Sequence, residues 1–229
     1  MKSKPLVLVY TDQPMCSIDC ADSVCDLLNS TDLYTAKMVG PSAHPKLTFN
    51  FSNLNKATCL VVPGGLGDAD QFDNKLTLSS KMVTSFVARG GKYLGICQGS
   101  YFAGKHYFNI LDGYDAVQYI KTKDACTRKS TQTVVTVSWN GEGNYPMFFY
   151  DGAAFIQTDE TATAQIISNY QNGNIAALIQ DHKKGRIGVI GPHPEAYKWW
   201  FYTQKEIQDR WKDCVQQELL LDFIKKLLK

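Results

Sequence analysis

The chain has 229 residues, which is long enough for one large α/β domain, and its 44% hydrophobic and 20% charged residues are ordinary for a globular protein. The 24 basic and 22 acidic residues leave a net charge of only +2, so we expect neither nucleic acid nor membrane as a partner. Seven cysteines without regular spacing do not resemble a small disulfide framework. They favour a reducing, cytoplasmic compartment.

The first apolar run, Leu6–Tyr10, follows two lysines as the core of a signal peptide would. It is too short for that role, and the polar stretch Thr11–Pro14 follows at once. We therefore predict a buried strand. No later segment approaches the roughly 20 apolar residues of a membrane span.

Short β-branched runs alternate with amphipathic stretches through the first half of the chain. This order predicts parallel strands joined by crossover helices, hence an α/β fold. The predicted strands are Leu6–Tyr10, Tyr34–Val39, Ala57–Val62 and Lys92–Ile96, and the predicted helices are Ala21–Leu28, Leu78–Ala88 and Ser100–Phe108.

The second half predicts an antiparallel excursion, because apolar and polar residues alternate and Asn/Gly turns separate the runs. Its strands are predicted at Gln132–Trp139, Ala164–Tyr170, Ile175–Ile179 and Arg186–Ile190. An amphipathic helix at about 204–228, with apolar residues from Ile207 to Phe223 at helical spacing, is expected to pack on the sheet; binding a partner is the alternative. We expect a single domain over residues 1–229.

Cys97 occupies the most informative position in the chain. It lies between Gly95 and Gly99, where the strand Lys92–Ile96 gives way to a helix-compatible segment. In such a G-x-C-x-G elbow, glycines permit a tight strand-to-helix turn that exposes the thiol above a helix N-terminus. A buried structural cysteine is the alternative, because unpaired cysteines are usually buried.

A cysteine nucleophile needs a base, and only four histidines are available. His193 directly follows an apolar strand, and Glu195 lies two residues on, so both side chains share one face of an extended segment. The carboxylate can then orient the ring. We expect His44, His106 and His182 to be solvated or structural.

A glycine-rich loop, Pro63-Gly64-Gly65-Leu66-Gly67, ends another predicted strand. Its backbone can turn N–H groups outward to form an oxyanion hole, although such loops also bind phosphate or simply turn. The cysteine, the histidine and this loop all follow strands, and in open α/β sheets ligands bind beyond the carboxyl ends of the strands.

These segments together resemble the class I glutamine amidotransferase-like superfamily, and more narrowly the amidotransferase-like N-terminal domain of biotin protein ligases. The segments are Leu6–Tyr10, Pro63-Gly64-Gly65, Gly91–Tyr101, Asp151–Phe155 and Gly191-Pro192-His193-Pro194-Glu195, so the resemblance spans about residues 5–200.

The resemblance implies a flavodoxin-like three-layer α/β/α sandwich and acyl-transfer or hydrolytic chemistry on a small-molecule amide or acyl substrate. It implies Cys97 as nucleophile, His193 as general base and Glu195 as its orienter. The backbone N–H groups of Gly65 and Gln98 would form the oxyanion hole, and Gly64 and Tyr101 would contact the substrate. No metal or other cofactor is expected.

Two departures narrow the expected activity. Glutamine amidotransferases usually carry Gln four residues after the nucleophile, where this chain has Tyr101, so use of glutamine is not expected. Related DJ-1/PfpI proteins often place His directly after the cysteine, where this chain has Gln98. No ligase domain follows, so biotin ligation is not predicted.

Three further features receive structural interpretations. Cys16, Cys20 and Cys25 lie near the expected mouth of the site, but without a fourth ligand nearby we expect buried thiols and not a zinc site. The acidic residues Asp68, Asp70 and Asp73 are expected to be solvated. The aromatic run Trp199–Tyr202 is expected to pack beneath the last helix, with lining of a substrate pocket as the alternative.

Two functions are compatible with these observations. The first is a stand-alone cysteine-dependent amidase or amidotransferase-like hydrolase. The second is a catalytically inactive binding or regulatory module that serves a separate ligase or synthetase. Specificity would depend on the loops at 113–130 and 141–146.

Overall fold

A computed structural model describes residues 3–66, 78–203, 205–212 and 214–229. Within that part of the chain, eleven strands form one sheet. The strands are β1 (Leu6–Tyr10), β2 (Thr35–Val39), β3 (Cys59–Val62), β4 (Lys92–Ile96), β5 (Tyr114–Gln118), β6 (Thr133–Trp139), β7 (Gly143–Phe149), β8 (Ala153–Gln157), β9 (Gln165–Tyr170), β10 (Ile175–His182) and β11 (Gly185–Ile190).

Six α-helices lie in the described ranges of the chain. They are α1 (Ile18–Ser30), α2 (Phe51–Leu54), α3 (Ser80–Ala88), α4 (Gln98–Phe102), α5 (Lys198–Phe201) and α6 (Val215–Leu227). Short 3-10 helices lie at Tyr119–Lys121 and Gln208–Arg210.

The sheet has a parallel and an antiparallel part. The main strand order is β2-β1-β3-β4-β11-β10-β9-β6-β7, and β8 pairs with β10 and β5. Strands β2, β1, β3, β4 and β11 run parallel, whereas β10, β9, β6 and β7 continue the sheet in antiparallel pairs. The register of β4 against β11 places Ile96 beside Ile190, so the residues after both strands emerge at the same edge.

Helices cover both faces of the sheet, which confirms the predicted three-layer α/β/α arrangement. In β1, Val7 and Val9 join the core beneath α1 and α6, whereas Leu8 and Tyr10 join the core beneath α2, α3 and α4. Alternate residues of a strand face opposite sides, so a central strand covered on both faces is apolar throughout.

The antiparallel part is larger than the sequence predicts. The stretch 113–130, predicted as a loop, contains β5, which pairs with β8 from Gln118↔Ala153 to Tyr114↔Gln157. The stretch 141–146 forms the turn into β7 and its first residues. Neither β5 nor β8 was expected. Four of the five residues of β5 are only partly buried and the last two of β8 are exposed, so the hydrophobic signal of both strands is weak.

Two predicted helices are shorter in the structure. The helix predicted at Ser100–Phe108 is α4, which ends at Phe102 because the N–H groups of Phe108 and Ile110 bond to the Phe102 and Ala103 carbonyls. A continuing helix would have used those carbonyls itself.

The C-terminal helix begins at Val215, not near residue 204. Cys214 has a left-handed backbone (φ 64°), which interrupts the helical pattern. Ile207 and Trp211 pack with Phe201 in a separate apolar cluster instead of continuing the face of α6. The helix α6 itself packs on the sheet as predicted, with Phe223 against Trp139.

Candidate active site

The predicted elbow forms a strained turn at the end of β4. Cys97 has φ 51° and ψ −108°, a combination that residues with side chains rarely adopt. Its N–H donates to the Ile190 carbonyl at 2.8 Å, and its carbonyl accepts from the Ser100 N–H and hydroxyl at 3.0 and 2.5 Å. These bonds hold the unfavourable backbone in place.

The glycines of the elbow are required by close backbone packing. A Cβ atom at Gly99 would lie 1.8 Å from the Val62 carbonyl oxygen, and one at Gly95 would lie 2.4 Å from the Gly99 oxygen. Tyr93 from β4 donates its hydroxyl to the Gly99 carbonyl at 2.6 Å. The turn therefore sits directly against the end of β3.

His193 follows β11, the neighbour of β4, and is fixed on several sides. Its N–H donates to the Phe148 carbonyl at 2.8 Å, and its ring packs edge-on against Phe148 and Trp200 at centroid distances of 5.9 and 5.6 Å. The imidazole Nδ1 lies 2.9 Å from Glu195 Oε1. The other side of the ring lies near Cys97, because a Cβ atom at Gly64 would be 3.3 Å from both the His193 Nε2 and the Cys97 Cβ.

Glu195 is completely buried. Its backbone carbonyl accepts hydrogen bonds from Ser23 on α1 and from Gln217 on α6, which hold the loop after β11 against both helices. Its Oε1 contacts His193, but its Oε2 has no hydrogen-bond partner among the residues that the structure describes. A buried carboxylate oxygen without a partner costs free energy.

The surroundings of His193 favour its charged form. Burial by itself lowers the pKa of the imidazole, but the Cys97 and Glu195 side chains act in the opposite direction through their charges and hydrogen bonds. The net result is a pKa of about 10.

This pKa predicts a specific dependence of stability on pH. The pKa of His193 is raised from its ordinary 6.5 to about 10 in the folded protein. Protonation of His193 therefore stabilises the fold fully below pH 6.5, and this stabilisation is lost as the pH rises through about 10. We expect the free energy of unfolding of the wild type to fall relative to that of His193→Gln between about pH 6.5 and 8.5, below the ordinary range of thiols. Urea denaturation measures this difference in the free energy of unfolding, with EDTA present to remove any bound metal ion. The exposed His44 supplies the control: His44→Gln should follow the wild type, and parallel curves for His193→Gln would contradict the prediction.

The glycine-rich loop lies against this cluster. A Cβ at Gly64 would lie 2.4 Å from the His193 ring and 3.3 Å from the Cys97 Cβ, and one at Gly65 would lie 1.5 Å from the Met15 carbonyl. The Gly64 carbonyl accepts a hydrogen bond from the Ser17 N–H, and the Leu66 N–H donates to the Pro14 carbonyl. Neither the Gly65 nor the Gln98 N–H donates to a backbone carbonyl of the described residues, so both are available to an external acceptor.

Gln98 and Tyr101 occupy the first turn of α4. Gln98 is 5% exposed, and within the described chain its side-chain Nε2 has no acceptor. Tyr101 is half-buried and donates its hydroxyl to the Asp151 carbonyl at 3.1 Å. Burial first, then the nearby Cys97 and Asp151, raises the pKa of the Tyr101 phenol, so it stays protonated.

A cavity of about 160 Å³ opens next to His193. An apolar cavity of about 150 Å³ accommodates a benzene ring. The lining includes Cys20, Gly65, Phe148, His193, Trp199 and Trp200. The aromatic run at 199–202 therefore contributes to this cavity and to the cluster around Phe148, and the expected packing beneath the last helix is wrong.

Cys20 is the site residue that the sequence interpretation missed. It lies on α1, is 8% exposed, and its sulfur lies within 4.8 Å of a His193 nitrogen and a Glu195 oxygen. Burial raises the pKa of its thiol, and the charges of Glu195 and Cys97 raise it further. Its position near the mouth of the site was the available signal; the fold supplies the neighbours that sequence spacing does not reveal.

The other candidates lie elsewhere. His44 and His106 are exposed, and His182 is buried at the opposite end of β11 with Nδ1 2.7 Å from Asp112 Oδ2. All seven cysteines are free. The predictions for Gly67, Asp68, Asp70 and Asp73 fall outside the described residues. No helix of the described chain is both long and apolar enough to cross a membrane.

Comparisons with known proteins agree with the fold. A family model described as "Biotin-protein ligase, N terminal" matches residues 7–112. The biotin–protein ligase of Schizosaccharomyces pombe is 26% identical over 164 residues, which cover 59% of this chain. The match covers 25% of the length of that relative.

Solved structures support the fold. A glutamine amidotransferase is similar with a TM-score of 0.60 and 14% identity, covering 97% of this chain and 98% of its own. A glutamine amido transferase from Methylobacillus flagellatus gives a TM-score of 0.54 and 13% identity, covering 91% and 77%. Residues 7–112 are therefore similar to the N-terminal part of biotin-protein ligases, and the chain has the flavodoxin-like fold of glutamine amidotransferases.

Proposed function

We propose that this chain is a cysteine-dependent amidase or amidotransferase-like hydrolase in which Cys97, His193 and Glu195 act together. The observation that carries the proposal is the position of the His193 imidazole, whose Nδ1 lies 2.9 Å from Glu195 Oε1 and whose Nε2 faces Gly64 together with the Cys97 Cβ. A nucleophile, a base and a group that orients the base are the three parts that acyl transfer through a side chain requires.

The reaction follows from these positions. The Cys97 sulfur attacks the acyl carbon, and His193 then gives its proton to the departing amine as the carbon–nitrogen bond breaks. Water, deprotonated by His193, attacks the resulting thioester, which releases the acid and restores the thiol. Glu195 keeps Nδ1 protonated and stabilises the imidazolium.

Two backbone groups fit the negative charge that develops on the substrate oxygen. The Gly65 and Gln98 N–H groups flank the elbow and bond to no described backbone carbonyl. Preorganised donors of this kind typically contribute 10²–10³ in rate. Gly64, next to the His193 ring and Cys97, leaves room for the acyl group because it has no side chain.

The cavity beside His193 favours a small amide or acyl compound with an apolar or aromatic group. Phe148, Trp199 and Trp200 contribute flat apolar walls, and stacking on such walls adds to affinity. Tyr101, whose hydroxyl is bonded to Asp151, replaces the glutamine side chain usual in glutamine amidotransferases. The proposal therefore does not include glutamine as substrate.

A second candidate is an inactive binding or regulatory module for a separate ligase or synthetase. One observation favours it: Cys97 is only 4% exposed, and its thiol donates to the Tyr150 carbonyl at 3.5 Å. Substrate access then requires the thiol to leave this carbonyl. The free cysteines are consistent with a reducing, cytoplasmic location for either function.

Turnover of an amide panel tests the proposal. We expect the wild type to release amine from at least one aromatic or apolar carboxamide, and Cys97→Ser to lose at least about 1,000-fold of that activity, because an alcohol is a far poorer nucleophile than a thiolate at neutral pH. Cys59→Ser is the matched control, because Cys59 is a buried thiol in the neighbouring strand β3. If Cys97→Ser keeps the activity of the wild type, or an untargeted metabolite screen finds no turnover, the module function is the better description.

A further inference from the structure

The cluster at the mouth of the site contains three metal-binding atoms, and water can take the fourth position of a zinc ion held by three protein ligands. The Cys20 sulfur, a His193 nitrogen and a Glu195 oxygen all lie within 4.8 Å of one another, and all three residues are buried. They come from two separate elements, α1 and the loop after β11.

The distances and donor types fit zinc. A tetrahedral zinc ion with thiolate, imidazole and carboxylate ligands holds those atoms about 3.4 to 3.6 Å apart. The Nδ1 of His193 and Oε1 of Glu195 are already 2.9 Å apart. The Cys20 sulfur would have to approach by about 1.4 Å at most, a shift within the reach of one side-chain rotation.

The carboxylate gives an independent indication of a missing ligand. Glu195 is fully buried and its Oε2 has no hydrogen-bond partner in the described chain, although buried polar atoms in native proteins nearly always have one. Its other oxygen contacts His193, so the unsatisfied oxygen belongs to the same cluster. A cation would satisfy it.

Charge and access agree with this assignment. A Cys20 thiolate and the Glu195 carboxylate together neutralise a divalent cation. Both Cys20 and His193 line the cavity, which gives an ion a route from solvent. The Cys97 Cβ and the His193 ring both lie next to Gly64, so an ion bound by the imidazole would sit beside Cys97 and occupy the ring that faces it.

We infer that Cys20, His193 and Glu195 form a zinc-binding site that reversibly blocks Cys97. Zinc replaces protons on Cys20 and on the imidazole, which leave as the metal–ligand bonds form. No oxidation or reduction is involved. The inference does not require Cys97 to be catalytic, because zinc binding and the accessibility of Cys97 are measured without a substrate.

Competition against a chromophoric chelator tests the binding. The base protein is Cys126→Ser/Cys214→Ser, because these two exposed thiols would bind zinc adventitiously. We expect one equivalent of Zn²⁺ per chain. Cys20→Ser should weaken that binding at least about tenfold, since even residues that only orient a ligand contribute 10–100-fold. Cys25→Ser, five residues further along α1 and outside the cluster, is the matched control and should bind as the base protein does.

Alkylation of Cys97 by iodoacetamide, followed by mass spectrometry, tests the blocking. Zinc should slow alkylation of Cys97 at least about tenfold and EDTA should restore it, whereas in Cys20→Ser the rates with zinc and with EDTA should be equal. Cobalt substitution should produce thiolate-to-metal charge-transfer absorption that Cys20→Ser lacks.

Three results would overturn the inference: no binding by the base protein, equal affinity in the Cys20→Ser variant, or unchanged alkylation of Cys97 with zinc bound. If Cys20→Ser fails to fold, Glu195→Gln takes its place in the competition assay. Equal zinc affinity of Glu195→Gln and the base protein would also overturn the inference.

Discussion

Replacement of His193 by Gln is expected to slow acylation of Cys97 at least about 100-fold at neutral pH, because a positioned general base contributes 10²–10⁴ in rate. Glutamine is similar in length and retains a hydrogen-bonding group, so the packing against Phe148 and Trp200 is largely preserved. It cannot accept the thiol proton at neutral pH. The loss therefore reports the proton transfer itself.

The measurement is single-turnover acylation by an activated amide or ester, followed by mass spectrometry of the Cys97 peptide across a range of pH. In the wild type the rate should depend less steeply on pH than in the variant, because His193 takes up the thiol proton as the sulfur attacks. In His193→Gln the rate should increase tenfold per pH unit, as for an ordinary thiol.

His182 provides a close control for this experiment. It is also a buried histidine with a carboxylate on Nδ1, Asp112 at 2.7 Å, but it lies at the opposite end of β11. His182→Gln should acylate at the wild-type rate. Equal acylation rates for His193→Gln and the wild type would exclude His193 as the base, whatever the proximity of the two side chains.

The Gly99→Ala variant is expected to lose about 3 kcal/mol or more of its free energy of unfolding. The added methyl carbon would lie 1.8 Å from the Val62 carbonyl oxygen and 3.0 Å from the Val62 Cβ. Both obstacles belong to β3, a fully buried strand, so they cannot rotate away as an exposed side chain would. Overpacking of this kind typically costs about 1–3 kcal/mol and more where backbone must move.

Urea denaturation of Gly99→Ala against Gly173→Ala separates two causes of destabilisation. Gly173 has a left-handed backbone (φ 84°) but nothing within 4 Å of an added Cβ, so its substitution should cost only about 1 kcal/mol. Gly99 does not have a positive φ, so its cost would come from overlap alone. Similar stabilities for the two variants would show that the elbow does not pack on β3 in this way.

Much of the parallel half of the fold can be predicted from sequence, because its strands are buried on both faces. Leu6–Tyr10 and Lys92–Ile96 are predicted with the bounds that the structure has. The strands β5 and β8 escape prediction, since each pairs with the other at the periphery and keeps partly exposed residues. Their pairing depends on contacts distant in sequence, which local periodicity does not record.

The helices are likewise predictable where the signal is local and unpredictable where tertiary contacts decide. The helix α3 is predicted to within two residues at its start, because its apolar spacing is regular and Gly90 follows it. The helical spacing around Ile207 and Trp211 is misleading, since tertiary contacts with Phe201 determine their conformation. Apolar residues at helical spacing indicate burial, but they do not specify which neighbour buries them.

By itself, the sequence determined where Cys97, His193 and Glu195 stand relative to strand ends, because glycine spacing and the alternation of extended residues are local properties. The tertiary structure alone decided that β4 and β11 are neighbours, that the His193 ring contacts both Cys97 and Glu195, and that Cys20 joins them from α1. The physical reason is that contact between segments about 100 residues apart depends on strand order and helix packing, and both result from burial of the whole apolar core.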